Sequence, residues 1–169
     1  MQLTRPTFLT PEHDTSRFYS GNDVLDDWLK KRALRAHRER TARTYVVTHD
    51  GEVIGYYALC SGAVSRVELV KGLQRNMPDP IPTMVLARLA IAKEWQGRGL
   101  GGNMILDAMA RMLAGSEIIG MRVMLVHAIS EEAKQFYQSY GFRESPLAPY
   151  TLMLSFKEIQ GVLSDVPGP

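Results

Sequence analysis

Gln96-Gly97-Arg98-Gly99-Leu100-Gly101 lies between an apolar run at 84–91 and a helix-periodic run at 103–113. It reads as the turn of a strand–turn–helix unit. Glycine takes φ > 0 and lets a backbone approach an anion closely, which residues with side chains resist. A helix opening behind such a turn adds unpaired N–H groups and the positive end of its dipole. Arg98 adds a full charge, so a pyrophosphate-bearing ligand is expected here. Spacing excludes two common phosphate loops. No Lys-Ser/Thr follows the glycines, and the turn lies past mid-chain instead of after the first strand of a parallel βαβ unit. On these residues alone, a glycine-rich connector with no ligand stays an open reading.

A second block begins with the apolar strand 123–128 and continues into a helix that Ser130 can cap, with Glu131 and Glu132 well placed in its first turn. Gly141 is a natural residue to close that helix. Ala133, Phe136, Tyr137 and Tyr140 follow i, i+3, i+4, i+7 spacing and share one face. From position alone, a tyrosine on such a face is ordinarily core packing.

In order and spacing the two blocks resemble the GNAT superfamily of N-acyltransferases, which use acetyl-CoA. The matching residues are Gln96, Gly99 and Gly101 of the Q/R-x-x-G-x-G/A loop, and Phe136-Tyr137 with Gly141-Phe142 of the second motif. Phe18-Tyr19-Ser20-Gly21, Leu25-Asp26-Asp27-Trp28-Leu29, Arg43-Thr44-Tyr45-Val46, Gly55-Tyr56-Tyr57-Ala58-Leu59 and Arg88-Leu89-Ala90-Ile91 narrow the resemblance. They run in the order seen in toxins of bacterial toxin–antitoxin pairs that acetylate aminoacyl-tRNA, over roughly residues 5–156.

The resemblance implies an α/β (α+β) fold with a mixed, mostly antiparallel central sheet, a splayed strand pair and flanking helices. It implies that backbone groups of Leu89, Ala90 and Ile91 pair with the pantetheine amides. Gln96, Gly97, Arg98, Gly99, Gly101 and Gly102 would receive the pyrophosphate, with Phe136 beside the cofactor. Tyr137 becomes the general acid, since a phenol of pKa ~10 stays protonated at neutral pH and can donate to a thiolate. Tyr140 is its nearest competitor. A general base is less legible. Glu94 and His127 are candidates, but His127 reads first as a strand-end or core histidine. A substrate α-amine, with a pKa of ~7.7–8.0, needs far less help than a lysine at ~10.4. The lack of an obvious base therefore leans towards an α-amine.

Charge is distributed unevenly. Residues 1–29 carry Arg5 and Arg17 against five carboxylates, a balance of −3, and residues 30–43 carry seven cations against Glu39, a balance of +6. Much of the basic block is expected on one helix, capped by Asn22 and loaded with Asp23, Asp26 and Asp27 at its positive end. Leu25, Trp28, Leu29 and Arg32 would mark its packed edge. Part of the pattern is dipole compensation, and a solvated face would explain it. A block of this density is also an electrostatic footprint for a phosphate backbone. With the subfamily resemblance, Lys30, Lys31, Arg35 and Arg38 are expected to bind RNA.

The 169 residues, 45% hydrophobic and 22% charged, suit one domain with a real core. No apolar run approaches the ~20 residues of a membrane helix, and no secretory h-region opens the chain. A cytoplasmic enzyme with no membrane association is expected. The single Cys60 lacks partners for a disulfide or zinc site, reads as a buried small residue, and no metal is expected. Asp50-Gly51 should turn a hairpin between strands at 43–48 and 53–59. Residues 65–77 suggest a short irregular helix, Pro78, Pro80 and Pro82 an extended entry to the next strand, residues 150–156 a closing strand, and residues 161–169 a frayed tail. The function implied is acetyl transfer from acetyl-CoA to the α-amine of aminoacyl-tRNA, blocking translation. Implied partners are a cognate antitoxin, usually with a ribbon-helix-helix part, and a second copy of the chain. The alternatives are an acetyltransferase for a small-molecule or protein amine, and a non-catalytic acetyl-CoA-binding partner in a repressor complex.

Overall fold

Asp50 and Gly51 both take positive φ, 50° and 83°, the geometry of a two-residue hairpin turn. They join β2 (Arg43–His49) to β3 (Glu52–Val64), with His49 directly opposite Glu52. Around this hairpin the chain, described from residue 3 to residue 166 in a computed structural model, adds β1 (Thr7–Phe8), α1 (Asp23–Lys31) and α2 (Ala33–Glu39) before it. After it come β4 (Ile81–Ile91), α3 (Leu100–Ser116), β5 (Val123–His127), α4 (Glu131–Gln138), β6 (Arg143–Glu144), β7 (Thr151–Ser155) and α5 (Phe156–Ser164). The sheet has seven strands in the order β1-β2-β3-β4-β5-β7-β6, mostly antiparallel, with β4 and β5 parallel. This is the mixed α/β architecture expected.

The chain divides into two compact units: residues up to Cys60 with Ala87–Ala108, and Ser61–Leu86 with the residues from Met109 onward. In the first unit, β1 pairs with β2 through Thr7↔Val46 and Phe8↔Tyr45. Asn22 caps α1 by accepting the Leu25 N–H at 3.1 Å. The apolar side of α1 carries Trp28 and Leu29 into a core with Phe18, Val46, Tyr56 and Ala90. Full burial of a large apolar side chain of this kind is worth ~1.5–3 kcal/mol.

The basic block does not lie on one helix. Arg32, at φ −128° and ψ −27°, ends α1 and begins α2, and Arg40, at φ 61°, ends α2 in the left-handed region. Charge spacing runs smoothly across this break and so conceals it. Arg32 is exposed instead of packed. A buried imidazole fixes the second helix: His37 Nδ1 accepts the Thr44 N–H at 3.0 Å, and Arg43 donates to the His37 carbonyl at 2.8 Å.

In the second unit, β4 pairs with β5 from Thr83↔Val123 to Leu86↔Val126. That register ends there, although β4 itself runs to Ile91. β5 then pairs along its whole length with β7, and the short β6 pairs with β7. Val64, Leu69, Ile81, Val123, Leu125 and Met153 form the core of this unit. Residues 65–77 hold two single 3₁₀ turns, Arg66–Glu68 and Lys71–Leu73, in place of the irregular helix. The tail is also ordered further than expected. Ser155 and Glu158 form a reciprocal capping box, and α5 carries the chain to Ser164, so residues 161–164 are helical. The expectation for 167–169 lies outside the described residues. Among the described residues no helix is long and apolar enough to cross a membrane.

Candidate functional site

In the first unit, β4 delivers Leu89, Ala90 and Ile91 to a 3₁₀ turn, Lys93–Trp95, and then to the glycine turn. Ala90 is buried, while Leu89 and Ile91 are half-buried. Gly97 and Gly99 take φ of +77° and +83°, and an added Cβ at either would meet nothing within 4 Å. Backbone conformation, not crowding, therefore calls for glycine here. The turn opens onto free space, as a bound ligand would require. Asn103 N–H donates to the Gly99 carbonyl at 3.1 Å, so α3 starts at once. The N–H groups at 100–102, which include Gly101 and Gly102, are the first-turn donors that helix geometry leaves without intrahelical partners. Arg98 is exposed, its guanidinium 4.9 Å from the centroid of Trp95. Main-chain donors, a helix N-terminus, open room and a cation suit the pyrophosphate of acetyl-CoA.

Gln96 contributes differently from its neighbours. Its Nε2 donates to the carbonyls of Ser20 and Ile91, both at 2.8 Å, and its N–H donates to the Lys93 carbonyl at 3.3 Å. With these donors engaged inside the protein, Gln96 holds the turn in place. The tie extends further, because Ser20 donates its N–H and hydroxyl to Asp26 at 3.0 and 2.6 Å. Asp26 is a buried carboxylate on α1, 5% exposed. Sequence reading placed Asp26 only as dipole compensation. The informative signal is its spacing, three residues before the buried Leu29 and so beside it on the helix surface.

Lys30, Lys31, Arg35 and Arg38 are all exposed on α1 and α2 in this same unit. Two of them have acidic neighbours one turn away: Lys31 with Asp27 at 3.6 Å and Arg35 with Glu39 at 2.9 Å. Exposed pairs of this kind are weak and readily exchanged for another anion. Glu94 is exposed beside the Lys93–Trp95 turn. Cys60 is half-buried, and burial pushes its thiol up, which opposes a nucleophilic role.

The second unit holds the other candidates. Ser130 caps α4 by accepting the Ala133 N–H at 3.0 Å. Lys134, itself buried, bonds Glu144 at 2.6 Å and so ties α4 to β6. Tyr137 is 7% exposed, with Phe136 and Phe142 at 5.5 and 5.6 Å between ring centroids. Burial pushes its phenol well above the ordinary tyrosine range. Tyr140 is half-buried and packs edge-on to Phe136 at 5.4 Å. Gly141, at φ +97°, turns the chain out of the helix. His127 is exposed at the end of β5, its Nδ1 3.0 Å from the Thr151 hydroxyl, a strand-end histidine with a local partner.

A strand, a glycine turn with two left-handed residues and a following helix, with the α4 motif later in the chain, are the features of an N-acetyltransferase of the GNAT type. The acetyltransferase (GNAT) domain family matches residues 40–144, and the chain belongs to this family. It is 41% identical to the "tRNA-acetylating toxin" of Mycobacterium tuberculosis, over 95% of this chain and 96% of that protein. Among solved structures it resembles AtaT complexed with acetyl-methionyl-tRNAfMet, with a TM-score of 0.88 and 31% identity over 95% of this chain and 99% of that one. It also resembles a Tyr-to-Phe mutant of the AtaT toxin bound to acetyl-CoA and the C-terminus of the antitoxin AtaR. There the TM-score is 0.82, with 28% identity over 98% of this chain and 100% of that one.

Proposed function

We propose that this protein transfers acetyl from acetyl-CoA to the α-amino group of an aminoacyl-tRNA, and that it acts as a translation-blocking toxin. The observation that carries this reading is the open, left-handed Gly97–Gly99 turn leading straight into α3. It stands in a chain 41% identical to a tRNA-acetylating toxin. Acetyl-CoA supplies an activated acetyl thioester. The chain's own residues bind and orient it: backbone groups of Leu89, Ala90 and Ile91 hold the pantetheine amides, the 97–102 backbone and Arg98 hold the pyrophosphate, and Phe136 packs beside the cofactor. Preorganised main-chain N–H groups on this strand stabilise charge developing on the thioester oxygen. The amine attacks in its neutral form, a C–N bond forms, the C–S bond breaks, and the amine's surplus proton leaves to water. Tyr137 Oη gives its proton to the departing sulfur and regains one from water.

Lys30, Lys31, Arg35 and Arg38 hold tRNA phosphates. An acetylated α-amine no longer accepts a growing peptide, which stops elongation. The whole of 1–169 works as a single cytoplasmic acetyltransferase domain and as a homodimer. A cognate antitoxin with a ribbon-helix-helix part restrains it. The test is to incubate the purified protein with labelled acetyl-CoA and a pool of charged tRNAs. Label should appear on aminoacyl groups and vanish when the tRNA is deacylated. Label on free amines or proteins but never on charged tRNA would overturn the reading.

A further inference from the structure

Arg88 sits on β4 one residue before the 89–91 segment, in the first unit with both the glycine turn and the basic helices. Its guanidinium lies 4.3 Å from the centroid of Trp28 on α1, and Trp28 in turn stacks on Tyr56 at 5.9 Å. Stacking on an indole holds a guanidinium by its flat face and leaves its in-plane N–H edges outward. Among the described residues no carboxylate ion-pairs with Arg88 and no acceptor takes a hydrogen bond from it. Its charge is felt by two half-buried or buried neighbours. Burial pushes the Cys60 thiol and the Tyr56 phenol up, and Arg88 opposes the shift in both. The side chain is half-buried, so this is a partly desolvated cation seated on an indole, with no anionic or hydrogen-bonding partner among the described residues. One turn beyond Trp28 along α1 come Lys31 and Arg32, both exposed, and then Arg35 and Arg38 on α2. Positive charge therefore runs from the helices to the strand that carries 89–91.

We propose that Arg88, seated on Trp28, is the anchor for a backbone phosphate in the single-stranded 3′ end of the charged tRNA and positions the aminoacyl group beside the 89–91 strand. This rests on the acetylation of aminoacyl-tRNA argued above and adds the residue that registers the substrate's end. A planar fork with free edges suits the two oxygens of a phosphodiester better than a point charge does. A single-stranded end has no duplex geometry to place it, so a fixed cation must.

The test compares wild type, Arg88→Gln and Arg88→Lys on two substrates, a full charged tRNA and the same amino acid esterified to a lone nucleoside that carries no phosphate. Wild-type acetylation of charged tRNA is checked first, and its absence overturns the proposed function and this inference together. With that activity in hand, Arg88→Gln should raise KM for charged tRNA by about 10- to 100-fold, the loss expected for a charged hydrogen bond, while kcat changes little. On the nucleoside ester it should match wild type. Its log–log salt slope on charged tRNA should shrink by about 0.7, one single-strand phosphate contact. Arg88→Lys should recover most of the salt slope and part of the KM. Equal losses on both substrates, or an unchanged KM for charged tRNA, would overturn the anchor.

Discussion

Packed against Phe136 and Phe142, the Tyr137 phenol holds its proton far into the alkaline range, and this sets how the reaction should respond to pH. As the proposed acid, Tyr137 is then protonated throughout the range in which the substrate amine loses its proton. The rate on charged tRNA should therefore rise through the amine's ionisation near ~7.7–8.0 and show no tyrosine-dependent fall below about pH 10. Tyr137→Phe removes one hydroxyl from a packed site and should leave the melting temperature and acetyl-CoA binding near wild type. It should lower kcat by about 10²–10⁴, the usual worth of a positioned general acid, and abolish growth inhibition in cells. A kcat within threefold of wild type would remove Tyr137 from the chemistry. Arg98 and Gln96 show why residue type alone underdetermines role. Both lie exposed in the glycine turn, yet Arg98 sits over Trp95 and Gln96 donates to a carbonyl 76 residues away in the chain.

The seam between α2 and β2 is a pH-sensitive joint, because His37 must stay neutral to accept the Thr44 N–H. Burial, with Arg43 and Arg40 nearby, pulls the His37 pKa below its ordinary value. Its contribution to stability is therefore complete above the unfolded-state pKa of ~6.5 and is lost as pH falls below it. The melting temperature should drop between pH 7 and pH 5, and His37→Asn, which retains an acceptor without a titrating ring, should reduce that drop. An equal drop in the variant would exclude His37 as the source. Elements whose signals are local were legible in the sequence: the Asp50-Gly51 hairpin, the Asn22 and Ser130 caps, and the glycine turn with its helix. The break at Arg32 was not, because cation spacing continues through it. Helix α5 is not legible although the Ser155–Glu158 capping box stands in the sequence, since residues 161–169 offer little to bury and read as a frayed tail. The site divides in the same way. Its glycines and α4 motif could be read from order and spacing, whereas the seat of Arg88 on Trp28 and the engagement of Gln96 depend on contacts between distant segments.

At the scale of the whole molecule, the uneven charge matters most, because binding to a phosphate backbone is driven by counterion release. Replacing Lys31, Arg35 and Arg38 together with Gln should raise KM for charged tRNA and reduce the salt slope by about two to three. The affinity for acetyl-CoA, measured directly, should hold. Glutamine is the better replacement, since a carboxylate would face Asp27 or Glu39 one turn away and cost a further few tenths of a kcal/mol per pair. An unchanged salt slope would place the nucleic acid elsewhere on the protein. The tie from Gln96 through Ser20 to Asp26 has its own outcome for the order of events. It wires α1, which carries Lys30 and Lys31, to the turn proposed to hold the nucleotide. Whichever substrate arrives first should find the other's cradle stiffer than before, and by thermodynamic reciprocity each must lend its companion an equal gain.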